Sequence, residues 1–246
     1  MKILVCVSKV PDTTTKITFT DNNTKFNEDK VQWIVNPTDE WYALVKGLEL
    51  KEKLGGNVTV INVGNAENEA IIRKALAIGA DDAVRIDAPE TDAYLVAAQI
   101  AEYAKSESFD IVLLGKETIN YNGYMVGGVI AELLDMPYVA LVTSLDVNGS
   151  TATLKREIEG AEETVEVSLP LVVSAQKGIA EARIPNMRGI MAARTKPLKV
   201  VPASNAEALT EVKMYEAPAP KQAVKLVSPD NVEQLVELLH NEAKVI

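Results

Sequence analysis

Short apolar segments alternate with helix-like segments over the first 142 residues of the chain. The apolar segments are rich in β-branched residues and lie at 3–7, 58–63, 83–86, 111–114 and 138–142. Between them, apolar residues recur with the 3.6-residue period of a helix, for example at Trp41, Leu44, Val45 and Leu48. Strands that alternate with helices of this length predict an α/β fold with a parallel sheet and right-handed crossovers.

The segment from Asn36 to Asp39 has the features of a helix start. Asn36 is a suitable N-cap, Pro37 suits the first helical position, and Asp39 would lie in the first turn. We therefore predict a helix that begins here and ends at Gly55. The acidic pair Asp39 and Glu40 is explained by helix capping or by solvation rather than by acid–base chemistry.

The pattern changes after residue 150. Residues 151–158 and 163–169 alternate polar and apolar side chains around a Gly160 turn, which predicts a β-hairpin with one solvated face. A buried strand follows at 171–174, and the Pro-containing segment 216–220 predicts an extended linker. A last amphipathic helix begins at Ser228-Pro229-Asp230. We predict a domain over 1–202 and an arm over 203–246, packed on its own domain or on another subunit.

Composition excludes several classes of protein. With one cysteine and one histidine, the chain cannot build a disulfide framework or a Cys/His zinc site, and His240 stands too near the C-terminus for a Ser/His/Asp triad. A net charge of −10 argues against a nucleic-acid partner. No apolar run approaches the roughly 20 residues needed to span a bilayer, and Met1 leads into a strand without a signal peptide. A cytoplasmic, bacterial protein is expected.

Glycines follow two of the predicted strands. Gly64 and Gly115 stand where a parallel sheet binds ligands, and Gly123, Gly127 and Gly128 come just before a predicted helix whose free amides would suit a phosphate. Neither a Walker loop nor a GxGxxG motif is present. These glycines equally suit ordinary tight turns, so nucleotide binding and plain turns both stay open.

A basic segment stands out in an acidic chain. Residues 182–206 contain Arg183, Arg188, Arg194, Lys196 and Lys199 and no acidic residue. Met187 and Met191, beside Ile184 and Ile190, add adaptable apolar side chains. A docking loop and a solvated loop both fit this pattern. No group of residues is convincing as a catalytic centre, and Cys6 is expected to be a small buried hydrophobe. A carrier or binding subunit is therefore favoured.

Six segments of the chain resemble the β subunit of electron transfer flavoprotein, nearly end to end and in the same order. They are 2–12, 36–40, 75–81, 110–116, 155–160 and 183–191. The resemblance implies a HUP-like, Rossmann-type domain that binds an adenine nucleotide. It also implies an arm that wraps an α subunit, which itself holds the redox-active FAD.

By this resemblance, the nucleotide pocket would hold AMP in a single-flavin protein or a second FAD in an electron-bifurcating one. Its residues, carried over by position, would be Cys6, Asn36, Pro37, Thr38, Asp39, Val63, Gly115, Lys116, Glu117, Thr118, Ile119, Asn120, Tyr121, Asn122, Gly123, Tyr124, Met125, Val126 and Gly127.

The segment 184–191 resembles the family's recognition loop for partner dehydrogenases, with Met187 at the position of the apolar anchor. Its docking residues would be Ile184, Met187, Arg188, Ile190 and Met191. The implied function is to carry electrons from acyl-CoA or related flavin dehydrogenases, through the α-subunit FAD, to a quinone reductase or another acceptor.

The sequence departs from the family pattern in the phosphate stretch. Val126 replaces a threonine of single-flavin members. Bifurcating members also carry valine there, but Asn120-Tyr121-Asn122 replaces their Asp-Gly-Asp turn, and Val126 is followed by Gly127-Gly128 instead of their usual Gly-Pro. Thr13 replaces an aromatic residue that some members place near the flavin. The alternatives are thus a bifurcating subunit that oxidises NADH and, outside this function, a stand-alone nucleotide-binding module.

Overall fold

The computed structural model describes residues 1–221 and 223–246, and the described residues form one large, mostly parallel sheet flanked by helices. The strands of this sheet are β1 (Lys2–Cys6), β6 (Asn57–Val63), β7 (Asp82–Asp87), β8 (Ile111–Gly115), β9 (Tyr138–Asn148), β10 (Thr151–Ile158), β11 (Ala161–Ser168), β12 (Leu171–Ala175) and β13 (Leu198–Pro202). Their order is β11-β10-β9-β12-β8-β1-β6-β7-β13. Only the pairs β9–β10 and β10–β11 are antiparallel. The predicted α/β class and the hairpin are confirmed.

The helices are α1 (Asp39–Leu54), α2 (Glu69–Ile78), α3 (Ala93–Lys105), α4 (Met125–Leu134), α5 (Met187–Ala193) and α6 (Val232–Glu237). Four short strands form two small ribbons beside the sheet: β2 (Lys9–Pro11) pairs with β5 (Trp33–Val35), and β3 (Phe19–Thr20) pairs with β4 (Lys25–Phe26).

Alternate side chains of the strands enter two cores, one on each face of the sheet. Ile3 and Val5 of β1 pack with residues of α1 and α2, whereas Leu4 and Cys6 pack with residues of α3 and α4. This division follows from the two-residue repeat of a strand. It explains why the central strands are apolar throughout, since both of their faces are covered.

The chain reverses its direction of sheet growth at β1. From β1 it proceeds outward to β6 and β7, then returns to place β8 and β12 on the other side of β1. The carboxyl ends of β1 and β8 therefore form the topological switch point, the place where open α/β sheets bind ligands. We use "switch point" for this edge of the molecule.

Two features of the backbone differ from the expectations. Residues 198–202 form a further strand, β13, which pairs in parallel with β7 at the edge of the sheet. This strand was not predicted, because it is short, bounded by proline residues and exposed on most positions. Strand β9 also extends to Asn148 instead of ending at Val142, since it continues as the antiparallel partner of β10.

The beginning of the predicted arm contacts the sheet domain. The Ser204 amide donates to Gln99 Oε1 (2.7 Å), and the Thr210 amide donates to Asp92 Oδ2 (3.0 Å). Further along, α6 begins at Val232 rather than at Ser228, and its apolar side chains are exposed. The packing of this segment on a partner stays a prediction.

Within the part of the chain that the structure describes, we find no helix that is both long enough and apolar enough to cross a membrane.

Candidate functional site

The switch point is built around a glycine on which the start of α1 packs. A Cβ atom at Gly115, the last residue of β8, would lie 2.9 Å from the Glu40 amide nitrogen and 3.1 Å from Asp39 Cβ. Backbone atoms cannot yield to such an overlap as a flexible side chain can. The absence of a side chain at Gly115 therefore lets α1 begin directly against the end of β8.

Glu40 is buried at this edge and bonds the end of β1. Its carboxylate is 4% exposed, accepts the Ser8 amide hydrogen at Oε2 (2.7 Å) and accepts the Ser8 hydroxyl hydrogen at Oε1 (2.8 Å). Burial raises the pKa of Glu40 to about 8, the Ser8 hydrogen bonds oppose this shift, and the charge of Asp39 adds to it. The expectation that Asp39 and Glu40 are explained by capping or solvation is wrong, because both side chains are buried.

Asn36 joins two segments that are 81 residues apart. Its Nδ2 donates to the Glu117 carbonyl (3.0 Å), and its Oδ1 accepts the Ile119 amide hydrogen (3.0 Å). The predicted N-cap role of Asn36 is wrong, since its amide is used on this loop and α1 begins only at Asp39. The structure thereby brings the 36–39 and 117–119 segments together.

Thr38 has a strained backbone next to this bridge. Its φ is +64°, a conformation that β-branched residues rarely adopt. Strain of this kind is kept only where the surroundings enforce it, and it concentrates at functional sites. The closeness of Gly115 to Asp39 and the Asn36 bridge supply that enforcement on either side of Thr38.

The loop from Lys116 to Tyr124 extends from β8 over this edge. The Lys116 amide still donates to the Ala175 carbonyl (3.0 Å), and the Asn122 amide donates to the Thr118 carbonyl (2.8 Å). The ammonium group of Lys116 lies close enough to lower the pKa of Asp39, although burial has the larger effect and raises it overall. The loop thus carries the predicted residues Asn120, Gly123 and their neighbours in a turn whose two ends are fixed.

The sequence pattern places Gly127 and Gly128 just before a helix. In the structure α4 begins at Met125, so both glycines lie inside its first turn. A Cβ atom at Gly127 would come within 2.8 Å of the Tyr138 hydroxyl. Packing alone therefore accounts for this glycine, and its role toward a phosphate stays a prediction. The positive end of the α4 dipole nevertheless faces the loop, and the free amides there suit an anionic group.

Cys6, Val63 and Val126 lie on the α3–α4 face of the sheet. Cys6 and Val63 belong to the core on that face, and Val126 packs against it. Burial, and then the nearby Glu40, raise the pKa of the Cys6 thiol, so Cys6 remains a protonated, unreactive thiol as expected. Pro37, another of the predicted pocket residues, lies in the turn before α1.

The predicted docking residues lie on and beside α5. Met187 is 72% exposed, and Ile184, Arg188, Ile190 and Met191 are also exposed. The backbone beneath them is held firmly: Asn186 Oδ1 caps α5 by accepting the Gly189 amide hydrogen (2.9 Å), and Arg73 Nη1 donates to the Ala193 carbonyl (2.8 Å). A rigid segment thus presents apolar side chains to solvent.

Two cations of the basic segment are already used within the chain. Arg183 forms two hydrogen bonds with the Glu52 carboxylate (2.6 and 3.0 Å). Lys196 Nζ donates to the Leu76 carbonyl (3.0 Å), and partial burial lowers its pKa. The exposed part of the positive charge is therefore smaller than the sequence indicates, with Arg188 and Arg194 among its exposed members.

Two cavities lie along α3, and neither includes a switch-point residue. One, of about 240 Å³, is lined by Ile86, Gln99 and Tyr103 among others, and a second of about 600 Å³ lies between α3, Leu133 and residues 203–206. Neither is lined by a glycine. Among residues 1–221 and 223–246, no three His, Cys, Asp or Glu side chains cluster as metal ligands.

The groups held at the switch point suit an anionic ligand such as a phosphate. The Asn36 bridge fixes the loop at residues 117 and 119, and the start of α4 supplies a positive dipole end for a phosphate. The cation of Lys116 lies nearby, paired with the Glu117 carboxylate (3.6 Å). Cys6 and Val63 are buried in the core beside this edge, and Val126 packs against that core, so the three form the apolar backing of the switch point. The sequence pattern assigns Glu40 to capping or solvation and gives Ser8 no role, and the burial of the helix start reveals the bonds between them.

Comparisons with known proteins agree on one family. The family model "Electron transfer flavoprotein domain" matches residues 23–206. The chain is 38% identical to the electron transfer flavoprotein subunit beta of Bacillus subtilis, over all of both chains. It is 34% identical to the protein of that name from Syntrophomonas wolfei and 30% identical to that from Homo sapiens, covering 98% and 99% of those chains.

Proposed function

This chain belongs to the electron transfer flavoprotein β-subunit family, and we propose that it binds an adenine nucleotide at the switch point and serves in a heterodimeric electron carrier. The family's members are electron carriers rather than enzymes in their own right. The proposal covers what family membership leaves open: the ligand of this subunit, its partner, the electron donor and the electron acceptor.

The observation that carries the nucleotide site is the Asn36 bridge. It ties the loop after β8 to the turn before α1 through the Glu117 carbonyl and the Ile119 amide. Two loops from opposite sides of the switch point are thereby fixed before any ligand arrives, which lowers the ordering cost of binding. An ordinary tight turn does not require a buried side-chain amide, such as that of Asn36, bonded to a distant segment of the chain.

This chain's own residues hold and orient rather than react. Gly115 allows the close approach of α1, Glu40 fixes Ser8, and Asn36 fixes the loop. When bound, FAD held mainly by the α subunit supplies the electron-accepting chemistry. The β subunit then maintains the distance between that flavin and incoming donors.

The α5 surface is proposed as the contact for electron donors. Met187 and Ile184 are exposed on a segment whose backbone is anchored to α2, so docking would order their side chains but not the backbone beneath them. Acyl-CoA or related flavin dehydrogenases are the proposed donors. A quinone reductase or another acceptor would receive the electrons.

The segment after Tyr215 is proposed as the contact with the α subunit. The described residues between 216 and 226 are exposed, and Val232 and Val236 leave an apolar side of α6 open to solvent. Deleting the residues after Pro220 should weaken heterodimer formation. A complex of undiminished stability on size-exclusion chromatography at low concentration would refute this role.

A second candidate is a bifurcating subunit that binds FAD in place of AMP and takes a hydride from NADH. Val126 favours it, because this side chain packs on the α3–α4 core and offers no hydroxyl to an AMP phosphate. The turn Asn120-Tyr121-Asn122 does not favour it. Reduction of the purified heterodimer by NADH would separate the two functions.

The deciding experiment is to purify the chain with its α subunit, denature the complex and quantify the released nucleotides by chromatography. One FAD and one AMP per heterodimer would establish the single-flavin carrier. Two FAD would establish the second candidate. One FAD and no second nucleotide would refute a nucleotide site in this chain, and a stable chain without a flavoprotein partner would favour a stand-alone module.

A further inference from the structure

The segment that leads into α5 is held by α1. Residues 181–186 belong to no helix or strand, and Ile184 among them is 88% exposed. Trp41 Nε1 donates to the Arg183 carbonyl (3.1 Å). The Arg183 guanidinium donates two hydrogen bonds to the Glu52 carboxylate (2.6 and 3.0 Å). Residue 183 is therefore attached to one helix by both its backbone and its side chain, and we call Trp41 and Glu52 the α1 clamp.

The α1 clamp stands on a rigid support. Trp41 and Glu52 are about three helical turns apart, so they lie on the same face of α1 and Arg183 extends along that face. The Trp41 ring packs against the core on the α1–α2 face of the sheet. Trp41 also directly follows Glu40, whose bonds to Ser8 fix the start of the helix. The first turn of α1 therefore supports both the switch point and the segment before α5.

The later part of the segment 184–191 is held by α2. A Cβ atom at Gly189 would overlap the carbonyl oxygen of Ala77, so α5 lies directly on the end of α2. Arg73 Nη1 of α2 donates to the Ala193 carbonyl (2.8 Å). The exposed apolar side chains of this segment are thus carried by a backbone that α2 fixes on one side and the α1 clamp fixes on the other.

We propose that Trp41 and Glu52 are positioning residues for the docking of electron donors. They hold residue 183 so that a donor meets Ile184 and Met187 already in place. The proposal rests on the proposed function, because it assumes that donors dock on α5. Without the α1 clamp, the residues before α5 would be ordered only on docking, and the backbone entropy lost at that moment would weaken binding. The clamp therefore acts on the affinity for the donor and has no part in the electron transfer that follows.

The test measures reduction of the purified heterodimer by an acyl-CoA dehydrogenase, with the heterodimer as the varied substrate. Trp41→Phe keeps an aromatic ring in the core and removes the N–H donor, and we expect KM to rise about fivefold at constant kcat. Glu52→Gln weakens a solvent-exposed ion pair, and we expect KM to rise about twofold. Trp33→Phe is the matched control, since the same substitution on β5, where the ring contacts Phe26, should leave KM unchanged. The FAD content should match wild type in all three variants.

A double-mutant cycle tests whether Glu52 acts through Arg183. In the Arg183→Gln background, Glu52→Gln should raise KM no further, because the contact is already gone, and additive effects of the two changes would overturn the role of Glu52. A wild-type KM in Trp41→Phe beside a raised KM in Met187→Ala would overturn the positioning proposal. A fall in kcat or in FAD content in place of the rise in KM would overturn it as well. If Trp41→Phe fails to fold, the cycle at Glu52 decides alone. A Met187→Ala heterodimer with the wild-type KM would instead refute the proposed docking on α5.

Discussion

The switch point and the α5 surface use their side chains in opposite ways. At the switch point, Asn36 and Glu40 are buried and spend their hydrogen bonds on their own chain. On α5 the backbone is held by the chain while Met187 and Ile184 are left to solvent. A change at the first region must therefore alter folding together with ligand binding. A change to an exposed side chain of the second region should alter partner binding with little effect on folding, which makes the two regions separable by experiment.

The largest expected effect is the pH dependence that Glu40 gives to stability. Its pKa is raised to about 8 in the folded chain, so the folded state holds a proton that the unfolded state has released above its ordinary value. The stabilisation is complete below that ordinary value and is lost as pH rises through 8. Wild type should lose on the order of 3 kcal/mol between pH 5 and pH 8 relative to Glu40→Gln.

Urea unfolding of both proteins at several pH values measures this difference. Glu52→Gln provides the contrast from the α5 side, since Arg183 lowers the pKa of the exposed Glu52. The contribution of the Glu52–Arg183 pair to stability is present above the ordinary carboxyl pKa and is lost on acidification. Solvent screening keeps this contribution small. A constant gap between wild type and Glu40→Gln over this pH range would contradict a buried, protonated Glu40.

Gly115→Ala tests the close packing at the switch point. The new Cβ would meet the Glu40 backbone at 2.9 Å, so we expect the free energy of unfolding to fall by about 2–3 kcal/mol. Gly128→Ala is the matched control inside α4, where the Cβ would make ordinary contacts at 3.7 Å and longer. That change should stabilise the helix by about 0.5–1 kcal/mol. Equal and small effects of the two substitutions would show that α1 does not press against β8.

Asn36→Ala tests whether the bridge serves the ligand. The change deletes two hydrogen bonds and leaves the Glu117 carbonyl and the Ile119 amide without them, which should cost about 2 kcal/mol. The nucleotide content of the heterodimer should fall as well. Asn186→Ala, at the cap of α5, should cost about 1 kcal/mol and leave nucleotide content intact. Full nucleotide content in Asn36→Ala would separate the bridge from the site.

How far the sequence predicts this molecule depends on the range of the interactions. Alternating periodicity is local, and it predicted the parallel sheet, the hairpin and the helices, because burial of one face determines each element. The bridge from Asn36 to the loop spans 81 residues, and Asn36 looked instead like a helix cap. Glu40 looked solvated because its bonds to Ser8, 32 residues away, are likewise invisible to local periodicity. Strand β13 was missed because its pairing with β7 leaves most of its side chains exposed.

The smallest effect on stability is expected at Met187. Truncating a side chain that is 72% exposed should change the free energy of unfolding by less than about 0.5 kcal/mol. If α5 docks electron donors, Met187→Ala should still slow electron transfer from an acyl-CoA dehydrogenase about tenfold, since buried apolar anchors dominate interfaces. Ile158→Ala, an exposed apolar change on β10 near the opposite edge of the sheet, should leave that rate unchanged. Equal rates for the two variants would remove Met187 from the docking surface, and a loss of stability at Met187 would end the contrast between the two regions.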